Sequence, residues 1–354
     1  MSRDPVTSKL LRWYARHSRD LPWRRTRDPY AIWVSEIMLQ QTQVDTAIPY
    51  YLRFLAKFPS VKALSKAQPG EVLKLWENLG YYSRARNLHT AAKEILARWR
   101  GRLPQHAKDL LTLPGIGEYT ASAILSIAFA EPVAAVDGNV SRVVSRLFAL
   151  RSPLGSPESR RQVRDQVDRL LSRRHPGEFN QAIMDLGATV CTPRQPSCSS
   201  CPLRAMCKAK EQGLEEQLPV PKKRATLSHK HMIAAVLSDR KKRMLVLKRP
   251  AAGLLGGLWK FPGGEVREKE SLNDAVRRTV REELGLSIRV EGALASVKHA
   301  YTHFRVTFHV CRCVMVKGSP RPNEALEWKW VSAEDLRRLA LSKAERKILA
   351  VLQS

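Results

Sequence analysis

Apolar residues recur every three to four positions through about the first 210 residues, and this spacing predicts a series of helices. Gly and Pro residues stand at the joints between these segments. The pattern therefore predicts an all-α region in the N-terminal part of the chain. Its predicted helical segments are 9–17, 30–57, two helices within 70–100, 156–174 and Phe179–Leu186, and residues 107–112 lead into a turn.

The pattern changes after about residue 230, where short apolar runs and alternation replace the helical spacing. The polar stretch Ser238–Arg243 between the first two runs predicts a hairpin. The segment 211–230 before them carries prolines and charge without periodicity, which is typical of a linker. The C-terminal part is therefore predicted to be an α+β domain. Its predicted elements are strands at Met232–Leu237, Met244–Lys248, Arg305–Val316 and Trp328–Val331, a helix at 271–284 and two short closing helices.

Length and charge narrow the class of protein. At 354 residues, the chain is long enough for two or three domains with their own cores. It contains no apolar stretch of membrane-spanning length, and Met1–Lys9 lacks an apolar signal region, so we expect a soluble, cytoplasmic protein. Its 61 Lys and Arg against 33 Asp and Glu give a net charge of +28, which favours a nucleic acid partner over a merely basic surface.

A Gly-rich turn is followed about twenty residues later by a single carboxylate. In Leu113–Ala121, Gly115 and Gly117 permit positive φ and close approach of another backbone. Free N–H groups at the start of the helix that follows can bind a phosphate. Asp137, within Val136–Val140, could then lie against a nucleotide held by this turn. The alternatives are an ordinary helix connection and an Asp that serves only as an N-cap.

Glu36 lies in an apolar helical run with no Lys or Arg beside it. A carboxyl group in an apolar setting has a raised pKa and can carry a proton near neutral pH, as a general acid must. The alternative is an exposed Glu on a helix surface. Two basic segments with aromatic residues, around Arg24 and around Tyr81, suit contact with DNA, although the first could equally be a surface loop.

Four cysteines occur within seventeen residues, as Cys191, Cys198, Cys201 and Cys207. Zinc and a [4Fe–4S] cluster both take four thiolates. Structural zinc sites usually have two Cys-x2-Cys arms, and only one is present here, so the spacing favours iron–sulfur over zinc. Disulfides are not expected without an export signal. The remaining pair, Cys311 and Cys313, alternates within an apolar run and is predicted to be strand interior.

Two adjacent carboxylates follow a Gly-rich loop in the C-terminal part. Glu282 and Glu283 lie on the helix predicted after Gly264. Clustered carboxylates of this kind bind Mg²⁺ or Mn²⁺ and, through the metal, a diphosphate. The alternative is a solvated acidic helix end.

Together these segments resemble the adenine DNA glycosylases of the MutY type over nearly the whole chain. The resemblance rests on Ser35–Thr42, Leu113–Ala121, Val136–Val140, the spacing of the four cysteines and the C-terminal Nudix-like pattern. It implies a helix-hairpin-helix DNA glycosylase region at 1–210, a linker at 211–230 and a Nudix-like domain for 8-oxoguanine recognition at 231–354. Within the first region it implies a helical barrel at 28–133 and an iron–sulfur subdomain formed by 1–27 with 134–210.

The resemblance implies base excision repair of adenine mispaired with 8-oxoguanine or guanine. Glu36 would protonate the leaving adenine, and Asp137 would stabilise the oxocarbenium-like sugar. Asn139 would orient Asp137. In related glycosylase-lyases a lysine stands at the position of Tyr119, so Tyr119 implies a monofunctional enzyme. Four further residues match DNA-contacting positions of the family: Gln41 and Tyr81 near the lesion, and Gly115 and Gly117 in the turn. Arg24 is expected to contact DNA because it lies in a basic segment with an aromatic residue.

The resemblance also extends to the C-terminal domain and to the ligands of the chain. It implies one [4Fe–4S] cluster held by the four clustered cysteines and recognition of 8-oxoguanine by Tyr301, Thr302 and His303. Gly264, Glu270, Arg278 and Gly285 fit the Nudix hydrolase pattern together with the two adjacent glutamates. Thr279 replaces a metal-binding glutamate of that pattern, so we expect little or no diphosphatase activity. We expect a monomer that binds mispaired duplex DNA, associated with the nucleoid if the source is bacterial.

Three other readings of the sequence remain open. The chain could be an endonuclease III-like glycosylase-lyase, which Tyr119 and the C-terminal domain disfavour. It could be a DNA-binding scaffold that recognises lesions without cutting them, which the presence of both Glu36 and Asp137 disfavours. It could also be a Nudix hydrolase with a DNA-binding N-terminal region, which Thr279 disfavours.

Overall fold

A computed structural model describes residues 4–221, 227–301, 303–323 and 327–353. The N-terminal part is helical, as the apolar spacing predicts. Its helices are α1 (Pro5–His17), α2 (Pro29–Leu39), α3 (Val44–Lys57), α4 (Val61–Lys66), α5 (Pro69–Leu75), α6 (Ser83–Trp99), α7 (Ala107–Leu110), α8 (Glu118–Ala128), α9 (Gly138–Leu147), α10 (Pro157–Leu170), α11 (Pro176–Thr189) and α12 (Lys208–Glu211). Short 3₁₀ turns lie at Pro22–Arg24, Cys198–Ser200 and Arg204–Met206.

The C-terminal part combines two small sheets with three helices. Its elements are β1 (Ser228–Leu237), β2 (Met244–Lys248), β3 (Trp259–Lys260), α13 (Leu272–Leu284), β4 (Ser287–Ala300), β5 (Phe304–Lys317), β6 (Glu327–Val331), α14 (Ala333–Arg338) and α15 (Lys343–Val351). One sheet has the order β1-β5-β4 and the other β3-β2-β6. One side of the strands packs with α13, and the other packs with α14 and α15. The predicted α+β class is confirmed.

The described residues form two compact units. One contains Met1–Ser65 with Thr90–Arg224, and the other contains Lys66–His89 with Ala225–Ser354. The segment Lys66–His89 thus packs with the C-terminal part of the chain, which no apolar spacing indicates. The domain boundaries given above remain a prediction. Within the part of the chain described, none of the helices combines the length and the apolar character needed to cross a bilayer.

The helix predicted over 30–57 is interrupted. Helix α2 ends at Leu39, and Gln41 adopts a left-handed conformation with φ of 58°. A helix cannot continue through that conformation, so α3 starts afresh at Val44. Gln40, Gln41 and Thr42, between the two helices, line the cavity described below.

The predicted hairpin between the first two strands is wrong. Strand β1 pairs in parallel with β5, whereas β2 pairs antiparallel with β3 and β6. Only a tight turn links the ends of β1 and β2, with a bridge between Ser238 and Met244 and a hydrogen bond from the backbone N–H of Asp239 to the carbonyl oxygen of Arg243 at 3.0 Å. Both strands carry apolar residues on both faces, as strands buried between layers of helices do. Such strands pair with strands that are distant in the sequence, so the neighbouring run does not determine the pairing. The long strand β4 was not predicted.

Two glycines of α11 allow close helix packing in the first unit. A Cβ atom at Gly177 would lie 2.7 Å from the carbonyl oxygen of Ser126 on α8, and one at Gly187 would lie 2.7 Å from Cβ of Asn139 on α9. Any other residue would push these helices apart. The core beside them joins α1, α9, α10 and α11 through buried Leu10, Val144, Val167, Phe179 and Ile183.

Candidate active site

A cavity of about 370 Å³ lies in the first unit where α2, α8 and α9 converge. The cavity is lined by the end of α2 and the turn after it, by the first turns of α8 and α9, by α11 and by the segment 19–24. Six of the residues predicted as site residues line this cavity: Arg24, Glu36, Gln41, Tyr119, Asp137 and Asn139. The structure therefore brings together residues that are more than one hundred positions apart in the chain.

Glu36 lies in the last part of α2 and is only 7% exposed. Burial raises its pKa to about 7, the nearby charge of Asp137 acts in the same direction, and a hydrogen bond from Tyr119 and the charge of Arg24 oppose the rise. Its Oε2 atom is buried and makes no hydrogen bond with any described residue. Glu36 can therefore hold a proton near neutral pH, and the alternative of an exposed helix glutamate is wrong.

Tyr119 lies in the first turn of α8, directly after the Gly-rich turn. Its hydroxyl group hydrogen-bonds with the Glu36 carboxyl group and lies 3.7 Å from Sδ of Met184. Burial, followed by the charges of Glu36 and Asp137, raises the pKa of Tyr119 well above its usual value. The phenol therefore stays protonated and remains a hydrogen-bond donor to the carboxyl group.

Asp137 is the N-cap of α9 and also lines the cavity. Its Oδ1 accepts from the backbone N–H of Val140 at 2.7 Å, and its Oδ2 accepts from Nδ2 of Asn139 at 2.9 Å. Burial raises the pKa of Asp137, and these hydrogen bonds oppose the rise. The N-cap alternative and the catalytic prediction thus describe the same side chain, because capping leaves the carboxylate at the cavity wall.

Arg142 extends this network from Asp137 toward the cysteine loop. Its Nη2 donates to Oδ1 of Asn139 at 2.8 Å, and its Nε donates to the carbonyl oxygen of Cys191 at 2.8 Å. The same Nη2 also reaches the carbonyl oxygen of Gly187 at 2.7 Å. One side chain therefore connects the residue that orients Asp137 with the first cysteine of the cluster.

Two arginines of the cavity wall bind a single carboxylate. Arg24 donates to both oxygens of Asp185, at 2.5 and 2.8 Å, and Nε of Arg19 donates to Oδ1 at 2.7 Å. Burial of Asp185 acts to raise its pKa, but the hydrogen bonds and charges of the two arginines outweigh burial and lower it. The predicted DNA contact of Arg24 stays a prediction; in this structure its guanidinium group is held by Asp185.

The Gly-rich turn connects α7 to α8, so a helix follows the turn, as the sequence predicts. Gly115 has a φ of 80°, a conformation that favours glycine. Gly117 is the N-cap of α8 with φ of −98°, and open space surrounds the position of a Cβ there. These two glycines do not line the cavity. Their predicted contact with a phosphate stays a prediction.

The four clustered cysteines follow α11 in a loop with two 3₁₀ turns. All four are free thiols of intermediate exposure. Burial raises the pKa of Cys201 to about 11, and the other three thiols add to the rise, so the four sulfur atoms influence one another. Nη1 of Arg146 lies 3.3 Å from Sγ of Cys191. Among the described residues, no group of three or more His, Cys, Asp or Glu is arranged to hold a metal ion in this structure.

Tyr81, Tyr301 and His303 line a second cavity, of about 410 Å³, which belongs to the second unit. Tyr81 has a left-handed φ of 48° and is 38% exposed. The Tyr301 ring lies 4.7 Å from that of His299 and 4.9 Å from that of Phe304. Thr302, the third predicted recognition residue, lies outside the described residues.

The Nudix-like carboxylates are engaged in ion pairs. Arg278 binds Glu270 at 2.6 Å and Glu282 at 2.8 Å, and Lys260 binds Glu283 at 2.5 Å. Thr279 is buried, with its methyl group against Gly264. Cys311 and Cys313 are buried in β5, which confirms that they are strand interior.

The sequence analysis did not identify three residues that shape these sites: Arg142, Asp185 and Arg86. The contacts of Arg86 are described in the subsection on the further inference. Arg142 follows Asp137 by five positions and Asn139 by three, so helical spacing could have placed it beside Asn139. No local pattern indicates Asp185, whose partners lie more than 160 positions away.

Comparisons with known proteins identify the families that the two parts of the chain match. A family model described as "HhH-GPD superfamily base excision DNA repair protein" matches residues 34–171, and one described as "NUDIX domain" matches 233–351. A structure of a thermostable thymine-DNA glycosylase superposes on 58% of this chain and 95% of its own, with a TM-score of 0.53 and 30% identity.

Two relatives named adenine DNA glycosylase match nearly the whole chain. The human protein is 34% identical over 97% of this chain and 73% of its own length. The protein of Buchnera aphidicola subsp. Schizaphis graminum is 30% identical over 97% of both chains. The two domains occur here in one chain, in the order expected from the sequence. The chain belongs to the adenine DNA glycosylase family, whose members are enzymes of DNA base excision repair.

Proposed function

We propose that this enzyme removes adenine mispaired with 8-oxoguanine or guanine in duplex DNA, with Glu36 as the general acid and Asp137 as the group that stabilises the sugar cation. The observation that carries this proposal is the buried Glu36, with a pKa of about 7, in one cavity with Asp137. The two carboxyl groups lie in different surroundings, and such a difference separates an acid from an electrostatic stabiliser.

The proton moves from Glu36 to a ring nitrogen of the extruded adenine as the N-glycosidic bond breaks. The electron pair of that bond leaves with the base, which departs neutral because it has gained the proton. Tyr119 hydrogen-bonds the Glu36 carboxyl group, and Oε2 of Glu36 makes no hydrogen bond with a described residue. Glu36, once deprotonated, can accept a proton from the water that completes hydrolysis.

Asp137 stabilises the positive charge that develops on the sugar, either electrostatically or through a transient covalent bond. Hydrogen bonds from Val140 and Asn139 oppose the effect of burial and favour the carboxylate form. Tyr119 has no amine with which to form a Schiff base with the sugar. The enzyme is therefore monofunctional and leaves an intact strand with an abasic site.

The cavity lined by Tyr81, Tyr301 and His303 supports recognition of the base opposite adenine. Its aromatic rings and the His303 imidazole offer a stacking surface and a hydrogen-bonding group to an oxidised purine. We place this recognition in the C-terminal domain at 231–354, together with the segment that carries Tyr81.

The chemistry of the cysteine loop, with four thiols as ligands, suits a [4Fe–4S] cluster. Four free thiols lie in one loop, and the guanidinium of Arg146 contacts the sulfur of Cys191, which suits an anionic ligand. Cys191, Cys198, Cys201 and Cys207 would hold the cluster, which when bound would crosslink the loop. Arg142 then ties that loop to Asn139, so an ordered loop favours the orientation of Asp137.

A panel of duplexes tests the function as a whole. The enzyme is incubated in excess over duplexes with adenine opposite 8-oxoguanine, guanine or thymine, and with cytosine opposite 8-oxoguanine. We expect strand cleavage at adenine only after alkali, fastest opposite 8-oxoguanine and slowest opposite thymine. Equal rates opposite all three bases would refute the proposed specificity, and cleavage without alkali would refute the monofunctional mechanism.

A further inference from the structure

The loop Gly253–Gly257 of the second unit presents an exposed apolar side chain on a constrained backbone. Gly253 and Gly257 have φ of 83° and 75°. A Cβ at Gly256 would lie 2.4 Å from the carbonyl oxygen of Ala251, so this turn accepts no side chain there. Leu254 stands in this turn with 62% of its surface exposed.

Arg86 fixes this loop to helix α6. Its Nη1 donates to the carbonyl oxygen of Gly256 at 2.8 Å, and its Nη2 donates to that of Gly253 at 3.1 Å. The two acceptors flank Leu254. A planar guanidinium that holds both carbonyl groups restricts the loop on either side of the leucine. The fold therefore holds Leu254 in an exposed position.

Leu254 and Tyr81 line the same cavity, and both side chains are partly exposed, with the guanidinium of Arg84 over the Tyr81 ring at 5.5 Å. The turn that presents Tyr81 is also fixed, because Nε1 of Trp76 and Nη2 of Arg84 each donate to the carbonyl oxygen of Gly80 at 3.1 Å. Two apolar groups on constrained turns therefore face one cavity.

The surroundings of this cavity are positively charged. Lys343 lines it, and the charges of Lys347 and Lys343 both act on His299, which lines it as well. Among the described residues that line it, none is Asp or Glu. An apolar surface with basic neighbours fits the bases and the phosphates of DNA, and DNA is the substrate of this enzyme family.

We propose that Leu254 contacts DNA as an apolar wedge that packs against the base opposite the target adenine or against its stacked neighbour. The identity of that base as 8-oxoguanine rests on the proposed function; the contact with DNA does not. Together with Tyr81, Leu254 would hold the opposite base in the cavity while adenine is extruded. Arg86 is the positioning residue, because it holds the two carbonyl groups beside the wedge.

The test compares Leu254→Ala with Val316→Ala, a matched truncation of a side chain that is 67% exposed on the same unit. Binding is measured by fluorescence anisotropy on a duplex with 8-oxoguanine opposite a 2′-fluorinated adenosine, which resists cleavage. We expect roughly tenfold weaker binding for Leu254→Ala, since a buried Leu contact is lost. We expect wild-type binding for Val316→Ala and for Leu254→Met, which keeps the apolar bulk.

A second readout separates a wedge from a merely structural role. With 2-aminopurine beside 8-oxoguanine, the wild-type enzyme should raise the fluorescence by unstacking that base, and Leu254→Ala should raise it less. Equal thermal midpoints of the variants would show that the fold is kept. Wild-type affinity and fluorescence for Leu254→Ala would overturn the proposal.

The failure of the proposed function has a different signature. If wild-type enzyme binds adenine opposite 8-oxoguanine no better than adenine opposite thymine, the proposed specificity is wrong. Leu254 is then judged on whichever duplex the wild-type enzyme binds, where unchanged affinity of Leu254→Ala again overturns the wedge and a tenfold loss supports it.

Discussion

The side-chain amide of Asn139 donates to Oδ2 of Asp137 at 2.9 Å, and this contact is fixed from two sides. Arg142 holds the amide oxygen of Asn139 at 2.8 Å. Gly187 of α11 lies against Asn139 so closely that an added Cβ would be 2.7 Å from its Cβ. The orientation of the cavity carboxylate therefore depends on a hydrogen-bonded pair and on the packing of two helices.

Asn139→Ala is expected to slow adenine excision by roughly 10- to 100-fold, because a hydrogen bond to a charged group is lost. Single-turnover rates on the mispaired duplex measure the effect. Ser141→Ala is the matched control, since the Ser141 hydroxyl group donates only to the backbone carbonyl of Asp137. An unchanged rate for Asn139→Ala would mean that Asp137 does not need this orientation.

Gly187→Ala is expected to lower both the excision rate and the free energy of unfolding, by about 1–3 kcal/mol for the latter. The added methyl group would displace Asn139 and the start of α9. Gly70→Ala in α5 is the comparison, because open space surrounds its Cβ position, and it should be neutral or slightly stabilising. Urea denaturation of the two variants gives the difference; equal stability would show that α9 can shift at no cost.

Tyr119→Phe is expected to move the pH dependence of excision. The hydrogen bond from Tyr119 lowers the pKa of Glu36, so its removal raises that pKa above about 7. The protonated acid then persists to higher pH, and the falling limb of the rate profile moves upward relative to wild type. The midpoint of that limb is the measurement, and a downward shift would contradict the contact.

Asp185→Asn is expected to destabilise the fold by about 3–5 kcal/mol, because two arginines lose the charge of a fully buried partner. Asp20→Asn serves as the control, since the Asp20–Arg25 pair is largely exposed and should contribute little. The denaturation midpoints of the two variants at neutral pH measure this difference in stability. If the two variants unfold alike, the buried ion pair does not stabilise the first unit.

Glu36→Gln is expected to stabilise the protein at alkaline pH. The pKa of Glu36 is raised from 4.5 to about 7, so the folded state binds more protons than the unfolded state between those values. The stability contributed by this group is therefore present below about pH 4.5 and falls as the pH rises to 7. Above that range the charged, buried Glu36 costs roughly 3 kcal/mol, which the neutral amide avoids. Thermal midpoints at pH about 5 and about 8.5 should show a gain for the variant only at the higher pH.

Helix positions and the second domain follow well from apolar spacing, because α1, α10 and α13 each bury one face. Strand pairing does not. The hairpin expected between β1 and β2 is wrong since β1 pairs with β5, nearly eighty positions later. The local sequence determines the tendency of a segment to form a strand. Which strand it pairs with depends on how the sheets and helices pack, and a local pattern holds no information about that packing.

Some residues of the candidate site could be predicted from the sequence, and others could not. Glu36 is identifiable because it is a lone carboxyl group in an apolar run, and Asp137 because it opens a helix after the turn. The sequence does not indicate that Asp185 binds Arg19 and Arg24, nor that Arg86 holds the loop of Leu254. These contacts join distant segments and follow from tertiary packing alone.

The role proposed for Glu36 is to supply the proton that releases adenine. The most direct test is the single-turnover excision rate of wild-type enzyme and Glu36→Gln, on adenine opposite 8-oxoguanine, between pH about 5.5 and 8.5. We expect a wild-type rate that falls as the pH rises through about 7 and a loss of at least about 100-fold for the variant at every pH. A variant that excises adenine at the wild-type rate would contradict it.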